Sequence, residues 1–80
     1  MNITEVRPWR ERNPMRVWRK ANKLTLADAC VLLGNGGIST LTKWENGGAR
    51  PAPVRMERLA EVMKDGGIAR KWDSWLEEAK

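Results

Sequence analysis

Leu24-Thr25-Leu26-Ala27-Asp28-Ala29-Cys30-Val31-Leu32-Leu33, then Gly34-Asn35-Gly36-Gly37, then Ile38-Ser39-Thr40-Leu41-Thr42-Lys43-Trp44-Glu45-Asn46-Gly47, is the stretch on which the fold turns. Thr25 suits a helix N-cap, with Asp28 three residues on as its capping-box partner. Leu26, Ala29, Cys30, Leu32 and Leu33 fall at helical spacing and make the apolar set of a short helix that stops at Gly34. A glycine inside a helix costs about 1 kcal/mol relative to alanine, so the glycine-rich run is a turn. Gly37 is read as the N-cap of a second helix, Ile38 to Asn46, which Gly47-Gly48 ends. Two short helices about a tight turn form helix-turn-helix geometry. Small Ala29 and Cys30 let the helices approach, and Leu33, Leu41 and Trp44 supply their shared core. Ser39, Thr40, Thr42 and Lys43 remain outward, short hydrogen-bonding groups with one cation, which suits a helix lying in a major groove.

Outward from this centre the spacing predicts three more helices. Asn13-Pro14 is a helix start, Asn as N-cap and Pro at the first helical position, followed by Met15, Trp18 and Ala21 or Asn22 on one face. Pro51-Ala52-Pro53 opens a helix whose inner face is Val54 or Met56, Leu59, Ala60, Val62 and Met63, closed by Asp65-Gly66-Gly67. Ile68, Trp72, Trp75, Leu76 and Ala79 form the apolar stripe of a last one. Residues 1–12 show no strong pattern and read as a basic arm ahead of a domain over 13–80, with the motif at about 25–46. The expected fold is all-α and compact, with five helices.

Composition excludes whole chemistries. The 80 residues allow one small core. There is no histidine, and the single cysteine, Cys30, forms neither an internal disulfide nor a metal cluster. No nucleophile–base pair, metal site or cofactor motif is visible, so no catalytic residue is expected and an enzyme is excluded. The Gly34–Gly37 run lacks the Gly-Lys-Ser/Thr ending of a phosphate-binding loop. No apolar run is long enough to span a membrane and no signal sequence opens the chain, which points to a cytoplasmic protein.

Fifteen basic side chains face ten acidic ones, a net charge of +5. Arg7, Arg10, Arg12, Arg16, Arg19, Lys20 and Lys23 against only Glu5 and Glu11 place the whole excess in the N-terminal quarter. That is either a solvated face or the footprint of a polyanion, whose counterions each phosphate-bound cation would release.

Met15 to Thr25 resembles the opening helix of the lambda-repressor-like (Xre/Cro) DNA-binding family. Leu32-Leu33-Gly34 and Ser39 to Gly47 are similar to that family's turn and recognition helix, and Arg50-Pro51 followed by Leu59-Ala60 to its next segment. Two departures stand out: Leu26 occupies a position where the family often has Gln, and the Asn35-Gly36-Gly37 turn is one residue longer. The resemblance implies a domain that binds operator-like double-stranded DNA, usually as a homodimer. It makes Ile38, Ser39, Thr42 and Lys43 the base-reading candidates. Lys23, Thr25, Thr40, Asn46, Arg50 and Arg16 become phosphate-binding ones.

Most of these side chains carry a plainer alternative. Ile38 either touches a thymine methyl or packs in the core; Ser39 and Thr40 either contact DNA or cap their helix, and Asn46 either nears phosphate or caps its end. Arg19 is expected in a structural ion pair with Glu45, a pairing the family frequently has. Arg7 and Arg10 either enter a minor groove or face solvent, with Trp9 packed on the domain. Trp72 and Trp75 either anchor a dimer or close the chain's own core.

The expected function is sequence-specific DNA-binding regulation, repression by promoter occlusion being the simplest form, in a prokaryote or phage. No cofactor, small-molecule ligand or membrane is expected. The alternative is a protein-interaction module, antitoxin, adaptor, or DNA-packaging or recombination accessory in which DNA contact is secondary. Bare Trp72 and Trp75 in the monomer would favour that alternative.

Overall fold

Local signals at the helix ends set the architecture. The computed structural model describes residues 8–34 and 37–78, and among these every regular element is helical. Residues 8–11 are helical (α1), followed by α2 Pro14–Ala21, α3 Leu26–Leu33, α4 Ile38–Asn46, α5 Pro53–Met63 and α6 Ile68–Glu77. Asn13 caps α2 by accepting the Arg16 N–H at 2.9 Å, with Pro14 opening the first turn. Thr25 and Asp28 form a reciprocal capping box. The Thr25 hydroxyl accepts the Asp28 N–H at 3.1 Å, and the Asp28 carboxylate accepts the Thr25 N–H at 3.0 Å. Gly34 ends α3 with φ of 67° and Gly47 ends α4 with φ of 78°, the left-handed conformation that a Cβ disfavours.

α3 packs on α4 and α5, while α6 packs on α2 and α5. Between them lies one core that includes Met15, Ala29, Cys30, Leu33, Leu41, Trp44, Met56, Leu59 and Ile68. Met56, not Val54, takes the inner position at the start of α5; Val54 is 75% exposed.

Two expectations need correction. The segment read as an arm over residues 1–12 is helical at 8–11, so the described helices number six rather than five. A helix this short has little stability of its own. Trp9 supplies it from outside by stacking on Trp75, ring centres 4.2 Å apart and 4° from parallel. Each indole N–H donates to the other residue's carbonyl at 2.7 Å. Arg7 lies outside the described residues, as do Asn35 and Gly36 of the turn.

Trp72 and Trp75 are not bare dimer anchors. They are 0% and 3% exposed, packed edge to face with ring centres 6.0 Å apart. A chain this small has few large side chains with which to close its core, and both rings are used for that. They have almost no apolar area left to give to a second subunit.

Candidate nucleic-acid interface

α4 has two chemically distinct sides. Leu41, Trp44 and Glu45 are buried, and the opposite side carries Ser39, Lys43 and Asn46, all exposed. Spacings of four and three residues stack these three along one line of the helix. Thr40 flanks the line on one edge and is exposed; Ile38 and Thr42 flank it on the other, Ile38 about half exposed and Thr42 partly covered. Nine residues give a rod about 14 Å long with side chains of hydrogen-bonding size, which fits a groove about 12 Å wide.

The hydrogen bonds narrow what each group can do. Thr42 donates its hydroxyl to the Ile38 carbonyl at 2.9 Å. Its oxygen then remains an acceptor, suited to an amino group of adenine or cytosine. Lys43 forms no ion pair with any described residue, so its ammonium is free for an acceptor such as guanine O6 or N7.

Behind the polar line, Glu45 is 3% exposed and meets Arg19 at two points, Nε–Oε2 2.9 Å and Nη2–Oε1 3.0 Å. The third Arg19 nitrogen donates to the Leu24 carbonyl at 2.9 Å, tying the α2–α3 connection to the same pair. The hydrogen bond to Glu45 raises the Arg19 pKa, partial burial acting against it. This arrangement joins α2, the start of the motif and the back of α4 through one guanidinium.

A helix-turn-helix family model, that of the lambda-repressor and Xre-like proteins, matches residues 15–64, more than half of the chain. The chain belongs to this family. No curated protein and no solved structure matches it. As a family member the chain is a DNA-binding helix-turn-helix domain, and both α3 and α4 lie within the matched residues. None of the described helices is long and apolar enough to cross a membrane.

The phosphate-binding candidates of this lambda-repressor-like domain divide into free and engaged groups. Lys23 is exposed just beyond α2, in left-handed backbone at φ of 55°, without an ion pair to any described residue. Thr25 is engaged in its capping box, its hydroxyl accepting the Asp28 N–H and helping to lower the Asp28 pKa, so it reaches a phosphate oxygen only by turning from that carboxylate. Thr40 and Asn46 are exposed on α4. Arg50 is held by Asp73 through Nε–Oδ1 at 2.8 Å and a longer second contact at 3.4 Å. Arg16 is drawn inward, 3.4 Å from Glu11 and 3.7 Å from Glu45, with a buried Nε that has no acceptor among the described residues.

The N-terminal charge surplus is largely paired. Besides Arg16 and Arg19, Arg12 meets Glu78 at 3.2 Å and Lys20 meets Glu11 at 3.9 Å. Of the described cations before residue 24, Arg10 and Lys23 have no ion pair with a described residue, and Arg10 sits on α1 rather than on an extended arm. Sequence reasoning missed two contacts at the far end of α4. The Asn13 amide, fully buried, donates to the Trp44 carbonyl at 3.3 Å, a second task for a residue already identified as a cap. The Trp9 ring lies over Gly47, so close that a Cβ there would stand 2.5 Å from its Cη2. No local pattern signals either.

Proposed function

We propose that this domain is a sequence-specific transcriptional regulator acting as a repressor by promoter occlusion, in the cytoplasm of a prokaryotic or phage-infected cell. Two copies related by a two-fold axis set α4 into successive major grooves about 34 Å apart. Ser39, Thr42 and Lys43 read base edges, with Ile38 positioned for a thymine methyl. Lys23, Thr40 and Asn46 take phosphate oxygens; Thr25 joins them only by turning from Asp28, and Arg50 only by sharing or leaving Asp73. The single observation carrying this reading is the uncovered polar line of α4 against its fully packed back.

With Trp72 and Trp75 enclosed, the case for a primarily protein-binding module loses its main feature. The two-fold contact falls to other apolar surface, and Val31 and Val54, 81% and 75% exposed, are the barest large apolar side chains among the described residues. Selection of bound duplexes from a random pool tests the whole reading. The expected outcome is an enriched consensus with two-fold symmetry and half-site centres about 10 base pairs apart. An unenriched pool ends the proposal.

A further inference from the structure

The tryptophan at residue 9 and the glycine at residue 47 sit together although neither belongs to the reading face. Three groups from residues 9–16 converge on the last turn of α4. Trp9 covers Gly47, Asn13 donates to the Trp44 carbonyl, and Arg16 lies 3.7 Å from Glu45. Trp9 is itself fixed to α6 by the parallel stack on Trp75 and the two reciprocal indole-to-carbonyl bonds. The Trp75 ring also approaches Gly47, its Cη2 at 3.4 Å from where a Cβ would be. The end of α4 therefore rests on a pair of flat rings, and only glycine lets it come this close.

We propose that Trp9 is a positioning residue for DNA reading. It works as a clasp that carries α1 across the C-terminal end of α4 and fixes the tilt of that helix against the rest of the domain. The inference rests on α4 being the DNA-reading helix and adds a specificity determinant outside the motif. Base contacts need side chains placed to within a fraction of an ångström, whereas attraction to phosphates tolerates a change of tilt. Loosening the clasp thus lowers discrimination between duplexes more than it lowers overall DNA affinity.

Two measurements on the full chain test this, using Trp9→Ala and the milder Trp9→Phe, which keeps an aromatic ring but loses the donor. The first is amide exchange at Gly47 and Gly48, whose N–H groups bond the Trp44 and Lys43 carbonyls at 3.3 and 2.9 Å. Exchange is expected to rise about tenfold there while the Asp28 amide, at the start of α3, stays unchanged. The second is the ratio of affinities for a selected duplex and a scrambled one at equal salt, expected to fall about tenfold, the scale of one misread base pair. Unchanged exchange in the variants overturns the clasp. Faster exchange with an unchanged ratio also overturns it, leaving a structural contact only. If Trp9→Ala does not fold, Trp9→Phe decides both points. A wild-type protein that prefers no duplex refutes DNA reading itself, and the exchange result still decides whether α1 holds α4.

Discussion

The two helices of the motif are secured at opposite ends. α3 is fixed where it starts, by the Thr25–Asp28 capping box. α4 starts on Gly37 with no side-chain cap and is fixed where it finishes, by Glu45 on Arg19, the Trp44 carbonyl on Asn13 and Gly47 under Trp9. A helix held from behind keeps its front and one flank clear for another molecule. The price is that the hold on its end depends on groups far along the chain, while the start of α3 is set by four adjacent residues.

Breaking the rear attachment of α4 carries the largest effect. Glu45→Ala leaves the Arg19 charge poorly solvated, and the expected loss is about 3–5 kcal/mol of folding stability in urea denaturation. Replacing both partners by apolar residues of similar size should recover most of that loss, because the cost lies in the unpaired charge. A Glu45→Ala chain as stable as the wild type would mean that the Glu45–Arg19 pair adds nothing to the hold on the rear of α4.

The exposed side of the same helix should respond in the opposite sense. Lys43→Ala is expected to leave stability within about 0.5 kcal/mol of wild type, since no described residue is bonded to its side chain. It should weaken a selected duplex by about 1–3 kcal/mol and relax one base position, with a much smaller effect on random DNA. Lys23→Ala sharpens the contrast: all duplexes should weaken alike and the salt slope should flatten by about one unit. Identical behaviour of the two variants on selected and random duplexes would remove the division between reading and anchoring.

The attachment of α3 gives the smallest effect and is sensitive to acid. The Thr25 backbone N–H, then its hydroxyl, hold the Asp28 pKa below its ordinary value. The folded state therefore favours the carboxylate. That contribution is fully present above the unfolded pKa of about 3.9 and is lost as pH falls through the lower folded value. Thr25→Ala should cost about 1 kcal/mol near neutral pH and flatten the acid limb of the stability curve. Asp65, whose pKa Lys71 and then the Gly67 N–H lower, keeps its own acid dependence in that variant.

The same contrast explains what could be read in advance. The helices from α2 to α6 were visible because Asn13-Pro14, Thr25, Gly34, Gly47 and Pro53 act on their immediate neighbours. α1 was not, since its support comes from a ring 66 positions away. Helical spacing identified Trp72 and Trp75 as one apolar stripe but carries no information on whether the chain itself covers it. The polar line of α4 was visible as residue types. The engagement of Arg50 by Asp73, 23 positions on, depends on how α6 lies and leaves no mark on either segment.

Cys30 adds a practical consequence. Its thiol is unpaired and 7% exposed, seated in the core wall formed by α3. Alkylating reagents reach such a sulfur only when the surrounding packing opens. The rate of its labelling is thus a built-in clock for transient unfolding, readable by mass spectrometry on the native sequence without any engineered probe.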